Sequence, residues 1–479
     1  MPITTSSEYQ IGFSSQNQEL DKTELPVTGK LPSWLSGTLL RNGPAKFEAG
    51  QSRLNHWFDG FSMLSKFEIA EGKVFYANKF LKTKAYTQAI YQQQLTSHEF
   101  ATNPHESLWT KVKSIVAPPL TDNANVNIAK LGGTYAAMTE TATFTAFEPS
   151  TLATLGPLIF EDKLKGQVTT AHPQIDPTDL TTFNLLTDLS KTSHYQLYSQ
   201  ASQSKSRRLL ANIPVKEPAY FHSFAMTQNY VILVECPFLL NTLELVLSGK
   251  PYIENYHWQS NKPTRFQIVE KSSGNIACVF EDQACFIFHH VNAFEVADEI
   301  VIDAIAYDDA TIVSDLYLDK LLDCNTSIAG GKLRRFRLNL TTKKAINEIM
   351  SPEILELPRI NDTTCSGTDY RYLYGTGKIE QARFLDRLIK IDTKSESSLF
   401  WQEPHMYPGE PVFVNNPLSQ EEDAGCLLSV ILDGLGKHSL LLVLDAQTME
   451  ELARITIPLV IPFGFHGIFI EETNHSHMQ

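Results

Sequence analysis

RFQIVEKSSGNIACVF, residues 265–280, reads as two short runs of alternating apolar and polar residues around a turn of lysine, serine and glycine. Period-two alternation aims one face of each run at a core, so the stretch predicts a β-hairpin. The same design recurs at KFEIAEGKVFYA (Lys66–Ala77), TAFEPSTLATL (Thr145–Leu155), YQLYSQASQSKSRRLL (Tyr195–Leu210), RFRLNLTTKKAINEI (Arg335–Ile349), LIKIDTKSESSLFW (Leu388–Trp401) and LLLVLDAQTMEELARITI (Leu440–Ile457). These stretches share little identity, so they form a rhythm, not a formal repeat. A period of roughly 50–70 residues suggests the blades of a β-propeller, slightly longer than the usual repeat. Small sheets packed radially leave only short edges exposed. A large β-sandwich or a pair of β-domains would show similar hairpins, and rhythm alone does not separate these all-β architectures.

Composition narrows the function classes. The chain has 479 residues, 42% hydrophobic and 20% charged, ordinary for a globular protein with a large core. Its formal net charge is −14, with no run of lysine or arginine, so its surface repels phosphate and nucleic acid is not an expected partner. Six scattered cysteines without a CxxC pair fit reduced thiols in a cytoplasmic protein better than disulfides or a zinc site. The opening MPITTSSEYQIGF has no basic segment followed by an apolar one, so no signal peptide is expected. The two most apolar windows, Tyr230–Leu247 and Thr456–Ile470, are interrupted by Glu235, Asn241 and Glu244 or by prolines and His466, and neither qualifies as a membrane span. Insertions break the rhythm at 78–130 and 236–263. The first holds PHESLWTKVKSIV (Pro104–Val116), where Leu108, Val112 and Ile115 share a helical face. Such excursions commonly cap a site. With no Gly/Ser linker in sight, the chain is expected to form one domain.

Four histidines stand in short apolar contexts ahead of predicted strands: His172 (TTAHPQID), His222 (AYFHSFAMT), His289 (FIFHHVNAFE) and His466 (PFGFHGIF). Three glutamates hold comparable places: Glu140 (AAMTETA), Glu356 (ILELPRIN) and Glu410 (YPGEPVFVNNP). In chain order the first six each precede one of the hairpins, and His466 would share its unit with the N-terminal hairpin Lys66–Ala77. One such residue per blade would bring all of them to a common axis. Neutral imidazole suits iron(II), four such rings leave its charge uncompensated, and carboxylates on the far ring nitrogens would fix tautomer and orientation. Any one of these histidines alone is more often a satisfied core residue, and a lone glutamate is usually solvated. The joint pattern is what raises them above background.

At these motifs the sequence resembles the carotenoid cleavage oxygenase family, closest to its animal-type branch of β-carotene oxygenases and the retinoid isomerohydrolase. The resemblance runs from about Pro32 to Ile470 and includes GTLLRNGPAKFE (Gly37–Glu48), HWFDGFSML (His56–Leu64), DNANVNI (Asp122–Ile128), YFHSFAMTQNYVILVECP, YGTGKIEQARFLDRLIKID, WQEPHMYPGEPVFV and EEDAGCLLSV. It implies a seven-bladed β-propeller over residues 32–470, between an N-terminal segment 1–31 and a tail 471–479, with a helical and loop cap over the iron-bearing face. It also implies Fe(2+) on His172, His222, His289 and His466, with Glu140, Glu356 and Glu410 behind them. Thr139 matches a position that crowds a vacant coordination site, and Phe100 and Tyr220 match aromatics lining a substrate tunnel; ordinary core packing explains each of these three nearly as well.

The implied activity is oxidative cleavage of a carbon–carbon double bond of a carotenoid or apocarotenoid by dioxygen, giving carbonyl products. Retinyl ester isomerohydrolysis and stilbene cleavage are alternatives on the same fold; a non-catalytic carotenoid carrier is the alternative of another class. The isomerohydrolase branch carries Pro-Asp-Pro-Cys-Lys in the segment matching Phe100–Val116, and this chain does not, which weakens that reading and any palmitoyl anchor. Apolar residues interleaved with Lys111 and Lys113 are compatible with peripheral membrane contact of a cytoplasmic protein; a solvated cap helix fits them equally.

Overall fold

All seven predicted hairpins are antiparallel pairs in the structure. Lys66 faces Ala77 and Leu388 faces Trp401, the residues that bound those two stretches. Phe266 faces Phe280, Leu440 faces Thr456, Arg335 faces Glu348, Tyr195 faces Ile213 and Thr145 faces Pro157. The computed structural model describes residues 8–104, 121–323 and 325–472. Strands dominate them, and the longest helix among the described residues, Lys84–Gln92, has 9 residues. Inner strands such as Glu299–Tyr307 (EIVIDAIAY) are buried on both faces, which is why they read as unbroken apolar runs.

Each hairpin belongs to a larger antiparallel sheet. The first runs Leu20–Leu25, Lys73–Phe80, Phe61–Ala70, Gly37–Lys46 and then Gly467–Glu471, with Gly37 opposite Glu471. The strand after His466 therefore joins the sheet of the N-terminal hairpin by pairing with Gly37–Lys46, as its place in the chain predicts. Further sheets are built on Asn127–Leu131 through Pro157, on Val168 through Val215, on Ala225 through Asp282, and on Met406 through Ile457.

The remaining two hairpins lie in one seven-stranded sheet, a departure from separate units. The strand Ala345–Arg359 spans 15 residues and pairs twice. Its first half faces Lys332–Asn339, through Leu338 and Ala345; its second faces Tyr372–Lys378, with Glu356 opposite Thr376 and Ile354 opposite Lys378. The register breaks between these halves around Pro352, whose missing N–H interrupts one ladder and lets the chain swing into the next. Split there, the sheet makes two four-stranded units.

The two insertions meet. Helix Lys84–Gln92 is capped by Thr83, while 236–263 folds as the strand pair Phe238–Leu240 and Tyr256–Trp258 around a short helix, Thr242–Leu247, capped by Asn241. The Ile253 N–H donates to the Phe100 carbonyl at 3.0 Å, and the Asn103 amide to the Gly249 carbonyl at 3.0 Å. The helical face expected at Leu108, Val112 and Ile115, with Lys111 and Lys113, lies outside the described residues, as do Cys324 and 473–479. The other five cysteines are free thiols, four of them buried. Among the described residues no helix is long and apolar enough to cross a membrane.

Candidate metal centre

The four histidines, spread over 294 residues of sequence, converge. His172 sits between the short strands Val168–Thr169 and Gln174–Ile175, His222 just before Ala225–Met226, His289 within Phe286–Val296, and His466 just before Gly467–Glu471. Their nearest ligating nitrogens all lie within 4.8 Å of one another. The Nε2 atoms of His172 and His222, of His222 and His289, and of His289 and His466 are each 3.2 Å apart. Around an ion with metal–nitrogen bonds of about 2.1 Å, adjacent ligands at right angles stand about 3.0 Å apart, so the spacing fits. A ladder irregularity on both sides of His289, where pairing shifts between Ile287 and His290 and again before Asn292, turns that ring inward.

Hydrogen bonding on the far side of three rings fixes their tautomers. The Nδ1–H of His222 donates to Glu140 at 2.6 Å, that of His289 to Glu356 at 2.5 Å, and that of His466 to Glu410 at 2.8 Å. Each Nε2 of these three rings is then bare, and the contacts His222–His289 and His289–His466 set lone pair against lone pair with no proton to share. A cation at the centre makes that arrangement favourable. His172 has no carboxylate behind it; its backbone N–H donates to Thr170 Oγ1 at 3.2 Å. Burial, followed by the other three imidazoles, holds His172 well below its ordinary range, and burial lowers His222 and, to about 3, His466 against the pull of their glutamates. Those three rings therefore favour the free-base form that can bind a metal.

The glutamates are themselves held. Tyr220 donates its hydroxyl to both oxygens of Glu140, at 2.7 and 2.9 Å. Tyr307 donates to Glu356 at 2.7 Å, and the Leu357 N–H reaches the other oxygen at 2.9 Å. Leu357 has φ 52, a left-handed conformation unusual for leucine, and this kink swings the backbone amide onto the carboxylate. Glu410 is gripped by Arg41 and by Arg359, whose Nε stands 2.8 Å away, and accepts the Gly467 N–H at 2.9 Å. Burial pushes Glu356 and Glu410 up, but His289 and the Tyr307 hydroxyl for the first, and Arg359, His466 and Arg41 for the second, outweigh it. Three carboxylates against two guanidinium groups leave a net negative surround for a dication.

An apolar cavity opens onto His222, His289 and His466. Trp57, Phe58, Phe288, Phe384 and Phe465 line it, together with Glu356 and Leu357. A smaller cavity is lined by Thr139, Glu140, Phe100 and Tyr252, and Phe58 and Val126 border both. Tyr220 lines neither; its ring packs among Phe100, Tyr256 and Phe286. Glu140 also departs from the common pattern, standing between the second and third strands of its sheet, Thr134–Met138 and Thr145–Glu148, where its carbonyl accepts the Thr169 N–H.

The sequence family described as retinal pigment epithelial membrane protein (RPE65) matches residues 13–471. The chain belongs to that family of carotenoid oxygenases. The family chain is 32% identical to human beta,beta-carotene 15,15'-dioxygenase, over 96% of this chain and 94% of that one. It is equally 32% identical to the mitochondrial carotenoid-cleaving dioxygenase of Mustela putorius furo, over 93% of each. Among solved structures it resembles cobalt-substituted Synechocystis ACO, with a TM-score of 0.86 and 28% identity over 98% of this chain and 99% of that one. A Synechocystis apocarotenoid oxygenase variant superimposes as well, with a TM-score of 0.86 at 27% identity over the same shares.

Four residues of this carotenoid oxygenase site escaped the sequence reading. Arg41 and Arg359 lie inside quoted motifs, GTLLRNGPAKFE and LELPRIN, yet nothing local says that their guanidinium groups meet one glutamate. Tyr307 ends the apolar run IVIDAIAY and reads as core. Glu99, beside Phe100, is 3% exposed and lines the smaller cavity; Ser97 and Thr121 donate to one oxygen, and burial pushes its carboxyl up to about 8. A charged residue beside a predicted tunnel aromatic was the available signal.

Proposed function

We propose that this protein is an iron(II)-dependent dioxygenase that cleaves a carbon–carbon double bond of a carotenoid or apocarotenoid into two carbonyl products. The observation that carries the reading is four converging imidazoles, three of them presenting a bare nitrogen at the wall of an apolar cavity, in a chain whose relatives are named for carotene and carotenoid cleavage. The seven sheet units, of four to six strands each, are read as propeller blades in a single domain, with His172, His222, His289 and His466 near their common axis. A ferrous ion on these rings would supply dioxygen binding and electron transfer.

The protein's own residues do the rest. Glu140, Glu356 and Glu410 hold three rings in the tautomer that presents Nε2, and make those rings more basic. Trp57, Phe58, Phe288 and Phe465 exclude water and keep an extended polyene in one orientation, so that its position along the cavity decides which bond is cut. Thr139 and Phe100, on the smaller cavity, are assigned to limiting the space beside the reacting bond, and Tyr220 to buttressing Glu140. No side chain is required as nucleophile or general acid. Exposed Leu243, Val246 and Leu247 on the insertion that meets Phe100 suit a cytoplasmic protein that collects its substrate at a lipid surface.

Incubating the iron-loaded protein with β-carotene and with apocarotenals, followed by chromatography of the products, should give dioxygen-dependent aldehydes or ketones. No oxygen-dependent carbonyl from any polyene would overturn the reading. His222→Ala should leave the protein folded with metal far below one equivalent; full occupancy in that variant would remove the assignment of the ligands.

A further inference from the structure

We propose that Lys378 makes the far wall of the apolar cavity a receptor for an oxygen-terminated polyene, best an apocarotenoid ending in a carboxylate. This deepens the proposed function and rests on it for the cleavage step alone. Lys378 lines the cavity and is 4% exposed. Its Nζ makes one hydrogen bond, donating to the Ala382 carbonyl at 3.1 Å. Among the described residues no carboxylate stands within ion-pair distance of it. An ammonium has three donors, so among the described residues two find no protein acceptor, beside a cavity that Ile354, Leu355, Phe384, Leu385 and Arg383 also line. Burying a charge among such groups is costly unless an anion or strong acceptor meets it, and burial duly lowers the Lys378 ammonium despite the more distant Asp386, Glu380 and Asp315.

The ladder places this cation relative to the metal centre. Lys378 faces Ile354, and Glu356, which holds His289, comes two residues later on the same strand, roughly 7 Å along the sheet. Ile354 and Glu356 border the same cavity. A polyene whose polar end rests on Lys378 lies with its chain running toward the four imidazoles, so the bond presented is counted from the oxygenated end. A hydrocarbon carotene would leave the ammonium with the Ala382 carbonyl as its one acceptor. The structure thus favours a substrate that has already been cleaved or oxidised once, and an upstream oxidation must supply it.

The test uses the full chain and an apocarotenoic acid beside its methyl ester, which has the same length but no charge. Trp57 borders the cavity, so quenching of its fluorescence reads occupancy whether or not turnover occurs. The acid should bind roughly 10- to 100-fold more tightly than the ester. Lys378→Met should close that gap, and Lys378→Arg should keep most of it. Equal binding of acid and ester by the natural protein, or a gap that survives Lys378→Met, would overturn the assignment. Selective binding without cleavage of any polyene would sink the oxygenase reading and leave this one standing; cleavage with no acid preference would do the reverse.

Discussion

Glu410 and Glu99 are both buried, 1% and 3% exposed, yet their surroundings drive them to opposite charge states. Glu410 meets two guanidinium groups, an imidazole N–H and a backbone N–H, and stays ionised. Glu99 meets only the hydroxyls of Ser97 and Thr121, with Asp59 and Asp122 adding repulsion, and it holds its proton to about pH 8. Burial alone raises both. What separates them is that the fold brings cations to Glu410 and none to Glu99 among the described residues.

The largest break in this contrast should come from Glu410→Gln. It removes the shared counterion and leaves buried Arg41 beside Arg359, which keeps only exposed Asp362, at 3.5 Å, as a carboxylate partner among the described residues; this should cost about 3–5 kcal/mol, read by chemical denaturation. A loss below about 1 kcal/mol would mean that water reaches the pair. Glu356→Gln keeps the shape but removes a charge held without any arginine, so metal affinity should drop roughly 10- to 100-fold with little loss of stability, measured by competition with a chelator. Tyr307→Phe deletes one donor to Glu356 and should cost about 1 kcal/mol; an unchanged midpoint would show the hydroxyl to be replaceable.

The Glu99 prediction is the smallest and the most specific to pH. Below its ordinary value of 4.5 the folded and unfolded chains both hold the proton; between there and about 8 only the folded chain does. Its contribution is therefore complete in acid and disappears as pH rises through about 8. Glu99→Gln should flatten the fall in stability over that window while changing little at pH 4. An equal slope in both proteins would mean that Glu99 is ionised in the folded state.

Hairpins and the converging histidines were legible in the sequence through recurrence. A strand pair announces itself by alternation and turn residues, as at Arg265–Phe280, and His172, His222, His289 and His466 stood out by their joint pattern, where a single histidine as in PFGFHGIF would read as core. The unbroken strand Ala345–Arg359 was not legible, because Pro352 and Pro358 advertise an end where the chain only changes partners. Arg41, Arg359 and Tyr307 were hidden because their meaning is relational: Arg41 matters through an atom 369 positions away. The same holds for Lys378, which sits in a quoted motif as an ordinary surface-looking lysine and becomes informative only when its side chain is found facing carbon.

The antiparallel seam between Gly37–Lys46 and Gly467–Glu471 has a consequence for biosynthesis. Three imidazoles can be in place on a growing polypeptide, but His466 follows them by 177 residues or more and docks only when the last strand zips onto one made near the start. At about 5–20 residues per second, the ribosome takes many seconds to bridge that gap. Capture of metal by a half-made chain is thereby discouraged, and the four-imidazole site is complete only once the strand after His466 has paired with Gly37–Lys46.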